Sequence, residues 1–260
     1  MDVKSWMTSN SLKLNDDKTE VMLVSSPQMA AKINVPDTMA VGNATVPFSR
    51  TVRNLGVTLD NHLEMIDHVK QLARTCNYHL RRLSSIRRYL TPDCAATLVS
   101  CYILSRIDYC NSLLVGCPDY LTDMLQAIVK NSARVVRRVP RYEHITHHLC
   151  ELHWLPVEYR ILVQFKIASL CFKCRDGSAP EYLQELLPER HIHRYNTRSA
   201  ADTTALGNAT AKSKKTLGDR SFSRAGPGVW NALPIALRNS DSQESFKTAL
   251  KTHLFRQAYS

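Results

Sequence analysis

The stretch IDHVKQLARTCNYHLRRLSSIRRYLTPD, residues 66–93, decides the fold class. Ile66, Val69, Leu72, Cys76, Leu80, Leu83, Ile86 and Leu90 recur at steps of three and four, the spacing of one apolar stripe along an α-helix. Thr91 and Pro92 then supply an N-cap and a first-turn proline, so a second helix begins there and runs to a stop at Gly116. That helix is apolar nearly all round, which predicts the buried centre of a bundle. A third helix is expected from about Tyr120 to Val139, with Leu121, Leu125, Ile128, Val135 and Val139 inward. Shorter helices are expected near 144–151, 157–175 and 181–187, and an amphipathic one over 242–257. Residues 196–216, rich in Ala, Thr, Ser and Lys without periodicity, read as a flexible link.

Upstream of this body the pattern changes. DVKSWMTSN suits a helix end, KLNDDK a polar turn and TEVMLVS, residues 19–25, a strand. AVGNATVPF predicts a hairpin around Gly42 and Asn43, and TVRNLGVTLD one further strand. So few strands with one helix have little to bury an apolar face against. The expected class is therefore α+β, mainly α: part of a small sheet followed by a helical body.

Composition narrows the function classes. With 260 residues, 44% hydrophobic and 22% charged, the chain has the make-up of a globular protein. No run of about 18 apolar residues is present to span a bilayer, so no membrane partner is expected. The start, MDVKSWMTSN, lacks a secretory pattern, which predicts a cytoplasmic or nuclear protein with its eight cysteines reduced. The net charge of +11 favours a polyanionic partner. Residues 1–69 carry −2, residues 70–141 carry +8 and residues 142–260 carry +5. The central block is where a nucleic-acid surface belongs.

Within it, Lys70, Arg74, Arg81 and Arg88 lie at steps of four, seven and seven, off the apolar stripe. Lys130, Arg134, Arg137 and Arg141 repeat at four, three and four on the third helix. Two helices with such stripes suit a phosphate backbone, and the acidic neighbours a solvated face usually carries are sparse.

Other candidates are weaker. Asp16-Asp17 precedes a strand and reads as a solvated turn. Cys171 and Cys174 form a CxxC, but in a helical run, where Cys150, His153, His191 and His193 match a second zinc pair poorly. Core thiols are expected there. His144, His147 and His148 have ligand-like spacing but read as surface or core histidines, so no metal site is expected. The sequons at Asn43 and Asn208 carry no meaning without secretion, and there is no P-loop, dinucleotide fingerprint or nucleophile elbow.

Several strings then acquire a common reading. SWMTSNSLKLNDDKTEVMLV followed by VRNLGVTLD resembles the segment after the catalytic Asp-Asp turn in LINE-type (non-LTR) retrotransposon reverse transcriptases. RRYLTPDCAATLVSCYILSRIDYCNSLLVG, LQAIVKNSARVV and HITHHLCELHWLPVEYRI resemble the region downstream of that segment in the jockey and chicken-repeat branch. GSAPEYLQELL, GDRSFSRAGPGVWNALP and SFKTALKTHLF resemble the end of the same reading frame. Nearly the whole chain is covered, in order.

The resemblance implies a palm remnant over 1–61, a thumb-like bundle over 62–141, a helical extension over 142–195, the link at 196–216 and a tail with a terminal helix over 217–260. It implies that Lys18, in KLNDDKTE, is the motif-D lysine that protonates the leaving pyrophosphate. Leu55, Gly56 and Val57 resemble the primer grip, where a tight Gly turn lets backbone approach the primer end. The thumb would hold RNA, an RNA–DNA hybrid or a DNA duplex, weakly and without sequence preference. The family's aromatic-x-Asp-Asp motif falls upstream of residue 1, as in a truncated element copy. Mg²⁺ is thus expected only in the full-length family enzyme, and no polymerisation by this chain alone. A repurposed helical module with protein partners is the alternative.

Overall fold

A computed structural model describes residues 3–13, 15, 18–34, 36–41, 44–161, 164–187, 204–207 and 216–259. Asp16-Asp17, Gly42, Asn43, His191, His193, Asn208 and most of 196–216 lie outside the described residues. Two compact units divide the chain, Met1–His68 and Val69–Ser260.

The first unit holds helices α1 (Val3–Ser9) and α2 (Pro27–Ala30) and strands β1 (Thr38–Val41), β2 (Ala44–Pro47), β3 (Thr51–Asn54) and β4 (Val57–Asp60). Ser26 caps α2, its Oγ accepting from the Met29 N–H at 3.3 Å. The strands form two separate antiparallel hairpins, with Val41 opposite Ala44 in one and Asn54 opposite Val57 in the other. TVRNLGVTLD is therefore a hairpin and not one strand. Leu55 (φ 45°) and Gly56 (φ 84°) both take the left-handed backbone that a two-residue type I′ turn requires. Leucine is rare at such a position, which hides the turn from sequence reading.

TEVMLVS corrects a second expectation. It is not a strand: Val21 alone makes an isolated parallel bridge to Phe48, and the Ser49 N–H donates to the Val21 carbonyl at 2.7 Å. Strands β3 and β4 pair across a two-residue loop, a short closure with little entropic cost. At the end of β4, buried Asp60 organises the turn after it. Its Oδ1 accepts from His62 N (3.1 Å) and Glu64 N (2.9 Å), and its Oδ2 from Met65 N (2.6 Å). These bonds hold Leu63 (φ 53°) and Met65 (φ 64°) in strained backbone and bury the Met65 side chain.

The second unit is helical among its described residues. Helix α3 (Ile66–Ile86), which begins in the last residues of the first unit, is followed by a 3₁₀ turn at Arg87–Tyr89 and α4 (Pro92–Val99). Thr91 Oγ accepts from Cys94 N, the cap its sequence predicts. A π-helical turn, Ser100–Leu104, leads into α5 (Ser105–Asp108), and α6 (Asp119–Arg137) follows a second 3₁₀ turn. Then come α7 (Thr146–Glu151), α8 (Val157–Ile161), α9 (Gln164–Arg175), α10 (Glu181–Gln184), α11 (Thr216–Asp219), α12 (Phe222–Asn231), α13 (Ile235–Arg238) and α14 (Gln243–Tyr259).

On α3 the buried stripe is Val69, Ala73, Cys76, Leu80 and Leu83, while Ile86 is exposed. The 92–115 segment is not buried all round. Its π turn rotates one face outward, so that Cys101, Tyr102 and Tyr109 are exposed while Val99, Ile103 and Ile107 are buried. On α6 the buried face is Leu121, Leu125, Ile128, Val129, Ala133 and Val136, with Val135 and Val139 only half-buried. A second core centre joins α9, α12 and α14. Trp230 and Phe246 are fully buried there, 5.6 Å apart between rings, and Phe172 stacks on Phe246 at 4.8 Å. Gly226 permits the close approach, since a Cβ there would meet Cys171 Sγ at 3.2 Å and Leu187 Cδ2 at 3.1 Å.

Candidate nucleic-acid interface

Helix α3 turns the residues off its apolar stripe toward the C-terminal end of α6, and a groove of about 730 Å³ lies along them. From α3 come Arg74, Asn77, Arg81 and Ser84, at steps of three, four and three, so they form one face. From α6 and the segment after it come Asn131, Arg134 and Arg141. Leu80, Val135 and Val139 make the apolar part of the wall. Four guanidinium groups thus gather on one groove, and no carboxylate lines it among the described residues.

Two arginines set the geometry of its end. Arg87 is buried; its Nε donates to the Val135 carbonyl at 2.8 Å and its Nη2 to Val136 at 2.6 Å. It thereby satisfies carbonyls that the end of α6 leaves without helical partners, at the negative end of the helix dipole. Arg134 donates through Nη2 to the Arg141 carbonyl (3.3 Å) and the Glu143 carbonyl (3.0 Å), which folds residues 138–143 back along the groove. Its Nε, buried, has no hydrogen-bond partner among the described residues.

The other expected phosphate contacts are placed differently. Lys70 is exposed away from the groove, and Arg88 lies over the Tyr89 ring at 4.6 Å. Arg137 pairs with Glu151 at 3.2 Å. Lys130 lines a separate depression shared with Asp119, Asp123 and Glu158. Half of the eight residues therefore share one groove, and for two of the others the sparse-acid pattern fails once loops bring distant carboxylates in. Asn77, Ser84 and Asn131 escape a reading that counts charges alone. The spacing 74, 77, 81, 84 carries the signal for the first two.

In the first unit, Lys18 is exposed on a short turn. Leu55 is 83% exposed at the β3–β4 tip, whereas Val57 is buried beside it. Cys171 and Cys174 are both buried, and burial aided by the neighbouring Cys174 pushes the Cys171 thiol up to about 12. The Cys76 thiol is likewise raised by burial, to about 11. These are core thiols, protonated at neutral pH. No helix among the described residues is long and apolar enough to cross a membrane. No protein-family model, curated protein or solved structure matches this chain.

Proposed function

We propose that the chain binds nucleic acid through the α3–α6 groove, as the thumb part of a LINE-type reverse transcriptase, gripping an RNA–DNA or DNA duplex by its phosphates. The observation that carries this reading is the gathering of Arg74, Arg81, Arg134 and Arg141 on one groove with no lining carboxylate. A guanidinium matches phosphate with two parallel N–H donors, and Asn77, Ser84 and Asn131 add neutral donors for phosphate or sugar oxygens. Such contacts position a duplex without reading its bases, so binding is non-specific and weak, in the range of about 10⁻⁴–10⁻⁶ M at physiological salt. On the same reading, the Leu55-Gly56 tip lies against a primer end and Lys18 donates a proton, both only where metal-holding carboxylates are supplied. The chain itself then carries out no polymerisation.

Titrating a labelled RNA–DNA duplex by anisotropy at several salt concentrations tests this. Four neutralised phosphates give a log–log slope of roughly −3.6, at about 0.9 per phosphate. The double variant Arg74→Gln/Arg81→Gln, exposed and off the apolar stripe, lowers the slope by roughly 1.8 with helicity unchanged. An affinity indifferent to salt would overturn the reading and leave a helical module with protein partners in its place. Primer extension by the purified chain with Mg²⁺ would overturn its non-catalytic part.

A further inference from the structure

Beside the groove, on α7 and the turn before it, stands a cluster that phosphate binding does not use. His147 Nδ1 lies 3.4 Å from Glu151 Oε1, and His148 Nδ1 lies 3.6 Å from Glu151 Oε2. Ligand atoms of His147, His148 and Glu151 all fall within 4.8 Å of one another. The spacing arises from one helical turn, with Glu151 at i+4 from the first histidine and i+3 from the second. His144, grouped with these histidines by sequence, is not a member, and Glu151 takes its place.

The tautomer of His148 is the informative feature. Its Nε2 faces Glu143 Oε1 at 3.1 Å, a hydrogen bond that puts the ring proton on Nε2. Nδ1 then presents a lone pair, and that atom is buried without a hydrogen-bond partner among the described residues. What faces it is another acceptor, the Glu151 carboxylate. With the ring neutral, two acceptors face each other at 3.6 Å, an arrangement that a metal cation between them would satisfy. Tetrahedral bonds of about 2.0–2.1 Å place neighbouring donor atoms about 3.3–3.4 Å apart. The separations here are 3.4 Å to Glu151 Oε1 and 3.6 Å to its Oε2, so the carboxylate meets the two rings through different oxygens, and the ligand atoms of all three groups lie within 4.8 Å. Glu143 is the outer carboxylate that metal-bound histidines commonly carry.

We propose that His147 Nδ1, His148 Nδ1 and the Glu151 carboxylate bind one zinc-class divalent ion, with Glu143 orienting His148 and water completing the coordination. Two imidazoles and one carboxylate suit zinc, cobalt or nickel and disfavour magnesium or calcium, which take oxygen ligands. Glu151 also pairs with Arg137 at 3.2 Å, so the ion competes with that guanidinium for the carboxylate.

The test is calorimetric titration of the reduced full chain with Zn²⁺, paralleled by visible spectra with Co²⁺. One equivalent binds in the wild type without the thiolate charge-transfer band that cysteine ligation would produce. Glu151→Gln, an exposed position that keeps the shape of the side chain, weakens that equivalent at least about 100-fold, and His148→Ala does the same. Glu143→Gln weakens it by about 10-fold, because a second partner fixes the ring but does not touch the ion. Arg137→Ala strengthens it up to about 5-fold, the scale on which exposed ion pairs compete. The proposal is overturned if no equivalent binds, if the bound equivalent survives Glu151→Gln, or if it shows the thiolate band.

Discussion

The two units use apolar residues in opposite ways. Between Val3 and His68, Val46, Val57 and Met65 are buried, while Trp6, Leu12, Val24, Met29, Ile33, Met39 and Leu55 stand exposed. Beyond Val69, side chains as large as Trp230, Phe246, Ile103 and Leu125 are below 2% exposure. The difference lies in geometry more than in composition. A four-residue strand offers two side chains to a face, and two hairpins that do not share a ladder offer no common face. Helices of 17 to 21 residues offer continuous stripes that stay buried over several turns. Local hydrogen bonds can close a hairpin cheaply, but they do not substitute for burial.

The largest effect that would break this comparison lies at the aromatic centre. Trp230→Ala should cost about 3–5 kcal/mol, because it empties a fully enclosed site between α9, α12 and α14. Urea unfolding followed by far-ultraviolet dichroism measures it, and a cost below about 1 kcal/mol would mean the tail does not share the helical core. Native-state hydrogen exchange gives the counterpart. Amides of α3, α6 and α14 should exchange only by global opening, and those of β1–β4 by smaller openings. Residues 19–25 emerging as the most protected segment would reverse the comparison, as would proteases that spare the first 61 residues.

The same contrast explains what the sequence made legible. The stripe on α3, the Thr91-Pro92 cap and the terminal helix rest on local, periodic signals, and each is present within a few residues of its expected place. The β3–β4 turn was hidden because Leu55 occupies a backbone conformation its side chain disfavours. Helix α12 is absent from the expected helices; the Gly-Pro-Gly in SFSRAGPGVWN disfavours a helix, and Gly226 admits Cys171 and Leu187. In the candidate interface, helical spacing placed Arg74 and Arg81 together. What it could not show was Glu151 arriving from α7 to occupy Arg137, or Arg87 turning inward to hold the end of α6. Both depend on loops whose path no periodicity encodes.

An intermediate effect sharpens the comparison from the side of the first unit. Leu55→Asn should stabilise the β3–β4 hairpin by about 1 kcal/mol. Asparagine tolerates left-handed backbone better than leucine, and Asn-Gly is the favoured pair for a type I′ turn. Little burial is lost, since Leu55 is 83% exposed. Thermal unfolding monitored by β3–β4 amide signals reports the gain. A stabilised hairpin with weakened binding to a primed duplex would show that leucine is kept at the tip for contact with nucleic acid. A stabilised hairpin with unchanged binding would remove the tip from the primer-grip reading.

The smallest expected effect is one of pH, and it concerns the first unit alone. His68 accepts a hydrogen bond on Nδ1 from the Thr58 N–H at 3.4 Å, and partial burial lowers its pKa below the ordinary 6.5. The bond uses the lone pair that protonation would remove, so the neutral ring is the form the fold favours. An unfolded chain binds that proton more readily than the folded one. Stability is therefore fully present above about pH 6.5 and declines as the pH falls from there through the folded pKa. Exchange of the Thr58 amide should accelerate on acidification over that window beyond the intrinsic chemical trend, while amides of α6 and α14 keep their protection. His68→Gln, which keeps an acceptor but does not titrate, should flatten the Thr58 response. If acid instead loosened α6 and α14 first, the weaker of the two regions would be the helical one.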